Sequence, residues 1–153
     1  MIRLYEVVAT WFYSGYLKPA SGTWGTLASL PLCILTFHLA GSIGLIFGSV
    51  VLFCIGLWAA SEFEKATGQH DSSNVVIDEA AGMMLACLPL SVNFHWLTII
   101  GCFAAFRIFD AVKIGPVGWL DKNLNGAWGV MADDIAAGLL ATIPVTGILI
   151  WMI

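Results

Sequence analysis

Charge is what this chain has least of. Asp, Glu, Lys and Arg make up 10% of its 153 residues, against roughly 25% in soluble globular chains. Six Lys and Arg cannot cover a basic face, and the net charge is −4. That excludes a nucleic-acid partner, because no patch could neutralise a phosphate backbone. Cysteine is equally uninformative as chemistry. Cys33, Cys54, Cys87 and Cys102 all lie in apolar stretches, and none forms a C-x-x-C pair, so they read as small apolar filler. Cys102 and Arg107 stand one residue too close for the loop in which a cysteine phosphatase wraps its amides around phosphate. The histidines are His38, His70 and His95, too dispersed for a zinc set, and His38 and His95 read as core or interfacial. Glu6 interrupts the opening stretch, so no cleavable signal peptide is expected.

What the chain has in excess is apolar surface. Hydrophobic residues make up 59% and the mean hydropathy is +0.91, so the bilayer is the expected solvent. Residues 14–26 are rich in Gly, Ser, Thr and Pro and read as a loop. Apolar segments follow at 27–40 and 43–60, separated by a Gly41-Ser42 turn. A polar stretch at 61–74, in which Asp71 suits an N-cap, precedes a shorter apolar segment at 75–90. Further segments run over 94–113 and 128–153, with a Gly/Pro/Asn-containing stretch between them. Several approach the ~20 residues a spanning helix needs. The expectation is a single domain over 1–153, an all-α, compact membrane bundle of about four to five apolar helices, one of them short.

Alternating sides at each segment puts the turns at 40–42 and 90–96 and the C-terminus together, with no charged residue among them. All six basic and ten acidic residues fall on the other side or in its adjoining helix turns. The positive-inside rule assigns that side to the cytoplasm. Trp11, Trp24, Trp119 and Trp128 then form one aromatic belt, and Trp96 and Trp151 the other.

The acids are clustered. Asp78-Glu79, Asp110 and Asp133-Asp134 sit at or inside apolar helical segments, where ionisable groups are costly and mark function. Helix capping explains one member of a pair, but neighbouring helical residues point about 100° apart and cannot share one cap. Carboxylates gathered together repel unless a cation neutralises them, and oxygen-only ligands suit Mg²⁺ or Mn²⁺. Arg107, Asp110 and Lys113, spaced i, i+3, i+6, run down one broad helix face, able to steady a metal-bound carboxylate and to offer cations to a phosphate. Ser21 to Thr26, with Lys18 upstream, could form an oxyanion nest at a helix start.

Taken in order, four elements resemble the phosphatidylglycerophosphatase A family: Lys18-Pro19 through Gly22-Thr23-Trp24-Gly25-Thr26-Leu27; V-x-D-E-x-x-G at Val76–Gly82; R-x-x-D-x-x-K at Arg107–Lys113; and D-D-x-x-A-G at Asp133–Gly138. They cover nearly the whole chain. The resemblance implies a Mg²⁺-dependent, multi-pass phosphatase of the bacterial inner membrane. Its active site would face the cytoplasm and convert phosphatidylglycerophosphate to phosphatidylglycerol. The chain departs from the family pattern at Ser21, at Ile114-Gly115 and at Asn125-Gly126-Ala127, all in loop or turn positions.

The expected catalytic residues are Asp78, Glu79, Asp110 and Asp134. Asp78, Glu79, Asp110, Asp133 and Asp134 form the pool of Mg²⁺ ligands, at least three of them sharing one ion. Lys18, Thr23, Arg107 and Lys113 are expected to bind the substrate phosphate. The partners are a phospholipid substrate and membrane lipids. The rival reading is a divalent-cation transporter that uses the same carboxylates as a path.

Overall fold

The computed structural model describes residues 3–69 and 72–152. His70 and Asp71 lie outside them. The described residues form six α-helices and no strand: α1 Leu4–Ala9, α2 Ser21–Thr67, α3 Ile77–Ala86, α4 Trp96–Val112, α5 Pro116–Asn123 and α6 Gly126–Met152, with 3-10 turns at Ser14–Tyr16 and Leu88–Ser91. The all-α bundle expected from the apolar segments is therefore what forms.

α2 is two arms. Gly41 leaves helical geometry at φ 58°, ψ −150°, a backbone state open to glycine but not to a residue with a side chain. The chain folds back there. A Cβ placed on Gly48 would lie 3.8 Å from Thr36 Cγ2, whereas in one continuous helix these residues would be about 18 Å apart. The sequence signal for a turn at Gly41-Ser42 is thus borne out.

The short third segment reaches the same end as that turn. α3 has ten residues, about 15 Å of rise, and the 3-10 turn at Leu88–Ser91 carries the chain further. Phe94, just beyond, stacks on Phe37 at 5.6 Å and meets His38 edge-on at 4.5 Å. His95 then caps α4, its Nδ1 accepting from the Leu97 amide at 3.2 Å.

Several boundaries differ from expectation. α2 begins at Ser21 rather than near Leu27, so the Gly/Thr stretch is a helical first turn and not a loop. Its second arm runs on through the polar residues to Thr67. α5 occupies the stretch between α4 and α6 that read as irregular. Trp11 is buried against Val76 and Ile77 rather than standing in an interfacial belt, while Trp24, Trp96, Trp119, Trp128 and Trp151 are exposed.

The core runs through α3, which is buried along its whole length. Phe106, Met83, Met84 and three buried cysteines fill the centre, so the reading of cysteine as packing filler holds for Cys33, Cys87 and Cys102; Cys54 is exposed. The outer surface is apolar: Leu39, Ile43, Phe47 and Ile143 all stand exposed. α2 and α6 are long and apolar enough to cross a membrane.

Two glycines set how closely α3 and α6 approach. A Cβ on Gly82 would sit 2.5 Å from the Asp134 carbonyl oxygen and 2.7 Å from the Phe106 ring, and one on Gly138 would collide with the Gly82 carbonyl. Small residues at a helix crossing let backbones meet, and each glycine lies four residues after an acid of its motif. Gly82→Ala and Gly138→Ala should each destabilise the protein by about 1–3 kcal/mol through overpacking. Gly147→Ala, with nothing near its Cβ position, should not. Thermal unfolding in detergent measures this, and equal melting for all three variants would show that the close crossing is unimportant.

Candidate active site

The helix starts of α2, α3 and α6 and the end of α4 meet at the end of the bundle opposite Gly41 and Phe94. Between them lies a cavity of ≈ 600 Å³ whose wall includes Ser21, Gly22, Asp78, Glu79, Arg107, Asp110, Lys113, Asp121, Asp133 and Asp134. All five carboxylates singled out from sequence line it, with Arg107 and Lys113. Lys18 and Thr23 do not. Lys18 is exposed and turns toward Asn74 Oδ1 at 3.5 Å; Thr23 is half-buried beside the wall.

The charges are organised around two cations. Arg107 Nη1 lies 3.0 Å from Glu79 Oε2 and 2.9 Å from Asp110 Oδ2, and it donates to Thr26 Oγ1 at 3.2 Å. The Thr26 hydroxyl in turn reaches Glu79 Oε2 at 2.7 Å. Gly22 makes room for this cluster, since a Cβ there would strike Glu79 Oε1 and come within 2.9 Å of Arg107 Nη2. Lys113 pairs with Asp133 Oδ2 at 3.1 Å and with Asp121 of α5. Burial would lower the Lys113 ammonium, but its hydrogen bonds to Asp121 and Asp133 override that and hold it above its ordinary value.

Among the described residues no cation is paired with Asp78 or Asp134. Asp78 Oδ1 accepts from the Glu79 amide at 3.0 Å, and neither acid of α3 caps that helix, whose N-cap is Val76. Asp134 is 3% exposed, and its Oδ2 is the one buried side-chain oxygen or nitrogen among the described residues without a hydrogen-bond partner. A buried, unpaired carboxylate oxygen is costly. Its presence is understandable if the site is built to receive a cation or a proton.

Besides the placing of Lys18 and Thr23, expectation and structure part over the metal site. Among the described residues no three acidic, histidine or cysteine side chains are arranged as a ready-made metal cage. The donor set nevertheless fits Mg²⁺, which usually takes one or two carboxylates, keeps several waters and draws its remaining ligands from substrate phosphate.

Thr26, Asp121 and Gly22 were not picked out as site residues. Gly22 and Thr26 stand in the sequence as members of the candidate oxyanion nest, not as partners of Glu79 and Arg107; Asp121 sits in a segment with no helix signal. Below the cavity the bundle is closed by Phe106, Met83, Met84, Cys33, Cys87 and Cys102. An ion path through the bundle would need polar side chains where these stand.

An all-helical bundle with an apolar outer surface, holding a carboxylate-lined and cation-flanked cavity at one end, fits a membrane protein with a polar pocket at its edge. The chain belongs to the phosphatidylglycerophosphatase A family, which it matches over residues 7–149. It is 37% identical to Phosphatidylglycerophosphatase A of Haemophilus influenzae, over 97% of this chain and 90% of that protein. It is 34% identical to Phosphatidylglycerophosphatase A of Escherichia coli, over 92% of this chain and 81% of that one. A Bacteroides thetaiotaomicron protein, named provisionally as a phosphatidylinositol-3-phosphatase, is 38% identical over 90% of this chain and 88% of its own length. No solved structure matches the chain.

Proposed function

We propose that this protein hydrolyses the phosphomonoester of phosphatidylglycerophosphate, giving phosphatidylglycerol and inorganic phosphate, with Mg²⁺ at the carboxylate cluster. The observation that carries this reading is the gathering of Asp78, Glu79, Asp110, Asp133 and Asp134 with Arg107 and Lys113 in one cavity at the end of an apolar bundle. Family membership supports the substrate.

The residues divide by what they can do. Arg107 and Lys113 offer N–H donors to phosphate oxygens and exchange their carboxylate partners for them when substrate arrives. Ser21 and Gly22 line the cavity at the start of α2, a helix with no side-chain cap, so first-turn amides add neutral donors for an anion. Asp134 Oδ2, free of partners, is placed to take a proton from an attacking water or to bind the ion. Asp78, Glu79, Asp110 and Asp133 complete the ligand pool. Bound Mg²⁺ would neutralise phosphate oxygens and either ease ionisation of the attacking water or stabilise the leaving alkoxide.

Release of phosphate from phosphatidylglycerophosphate by the purified protein tests the reading, with phosphatidylinositol 3-phosphate as the comparison substrate. Faster turnover of the inositol lipid would reassign the headgroup. Phosphate release should stop when the metal is chelated and return with Mg²⁺. Full turnover in metal-free protein would remove the ion from the scheme.

We place the chain as a multi-pass protein of the bacterial inner membrane with the cavity facing the cytoplasm. The one-sided charge supports this, as does the shared position of the Gly41 turn and Phe94 at the uncharged end. Cysteines introduced at 61–69 and 114–126, with Cys54 replaced by Ala, should label from the cytoplasm and one at Ser42 from the other side. Cytoplasmic labelling at Ser42 would invert the assignment.

A further inference from the structure

The cavity wall is a ring of helix ends, and most neighbours in it are joined by packed backbone or by the chain itself. α2 meets α3 where Gly25 abuts Val76, and α3 meets α6 at Gly82 and Gly138. α4 runs into α5 and α5 into α6 through short connections. Between the start of α2 and the end of α4 the backbones approach at few points, and the gap is bridged by a side chain, Arg107 reaching Thr26 and Glu79.

The surface on either side of that bridge is apolar and low. At about 100° per residue, α2 turns Gly25 to α3, then Gly22 and Thr26 to Arg107, then Thr23 and Leu27 outward. α4 turns Phe106 to α3, Arg107 to α2, then Ala104 and Ala111 outward. Leu27, Ala104 and Ala111 are exposed, and on α4 the two alanines flank the exposed Ile108, next to the cavity residues Arg107 and Asp110.

We infer that the phospholipid enters sideways here. Its phosphomonoester headgroup passes between the first turn of α2 and the last turns of α4, while its acyl chains stay outside against the exposed apolar faces of Leu27, Ala104 and Ala111. The inference rests on the phosphatase reading above and adds the route and the acyl-chain position. The reason is physical: the cavity wall is mostly carboxylates, cations, serines and glycines, and its apolar members among the described residues, Val75, Leu124 and Val130, are too few to house two acyl chains. Drawing those chains into the aqueous mouth would forfeit their burial in the bilayer. A second apolar groove of ≈ 670 Å³ between α4 and α6 cannot substitute. It is lined by Gly101, Ala105 and Ile108 of α4, shares no lining residue with the carboxylate cavity, and extends toward Asn93 and His95 at the far end.

Ala104→Trp and Ala111→Trp should each lower kcat/KM for a dioleoyl substrate by roughly tenfold, mainly through KM, whereas Leu139→Trp on the exposed face of α6 should not. Unchanged kinetics in both alanine variants, with the parent protein active, would overturn the route; an inactive parent protein would instead overturn the phosphatase reading. A second measurement does not depend on turnover or on the variants. Phosphatidylglycerophosphate carrying a diazirine near its ester carbonyls should label residues 23–30 of α2 and Ala104 and Ala111 of α4 above all others, and more strongly than the matching phosphatidylglycerol probe. Labelling centred on the α4–α6 groove, or spread evenly around the bundle, would rule the lateral route out.

Discussion

Asp78→Asn, Glu79→Gln, Asp110→Asn and Asp134→Asn are each expected to lower kcat by roughly 10²-fold or more, the scale of losing a general base, while the protein still inserts and folds. All four side chains line one cavity. The substitutions keep shape and remove charge. Carboxylates within one cavity repel one another, so loss of Asp78 or Asp134 relieves the folded state, and after Glu79→Gln or Asp110→Asn the Arg107 guanidinium keeps its other carboxylate. Asp134→Asn is the sharpest case. Its Oδ2 has no partner to lose, so a fall in turnover without a fall in melting temperature assigns that oxygen to chemistry. Glu62→Gln is the control. Glu62 pairs with Lys65 on the exposed end of α2 at 2.7 Å, an interaction worth about 0–1 kcal/mol, and its loss should leave turnover unchanged. Near-normal turnover in the four cavity variants would mean that the carboxylates serve packing or topology alone.

These acids could be read from the sequence because each was an ionisable group in an apolar run. That is an energetic anomaly, and it survives without a structure. The helical class was legible for the same reason: long apolar runs in lipid must satisfy their own backbone. The fold-back at Gly41 was legible because a glycine-serine pair interrupts the run. What escaped notice depends on position alone. Asp121 sits in a polar segment where a carboxylate is unremarkable, and only the folded chain brings it to Lys113. Thr26 gains its meaning from Arg107, 81 residues away. Lys18 looked like a phosphate ligand because it precedes the α2 start, but α2 begins at Ser21 and leaves Lys18 outside the cavity wall. The closeness of α3 to α6 was present in the motifs as two glycines, yet nothing in a single chain tells a packing glycine from a turn glycine.

Arg107→Gln should cost about 10²–10³-fold in kcat/KM, the range for removing an aligned donor from a charge-developing site, and should also destabilise the protein. The guanidinium sits among Glu79, Asp110 and Thr26, with its side chain 21% exposed. Without it, Glu79 and Asp110 face each other across the site with no compensating charge. Removing one partner of a largely buried pair is costly, because the other stays buried alone. Arg107→Lys should recover stability better than activity, since an ammonium restores the charge but not the planar fork that meets carboxylate and phosphate oxygens together. The decisive variant is Arg107→Gln combined with Glu79→Gln, read as a double-mutant cycle. Neutralising both ends removes the uncompensated charge, so the melting temperature should rise above that of Arg107→Gln alone. Turnover should not rise with it, because the phosphate still lacks its strongest donor. Were turnover to return along with stability, Glu79 would be dispensable for the chemistry and Arg107 would be its structural counter-ion, and recognition of the phosphate would fall to Lys113 and the amides at the start of α2.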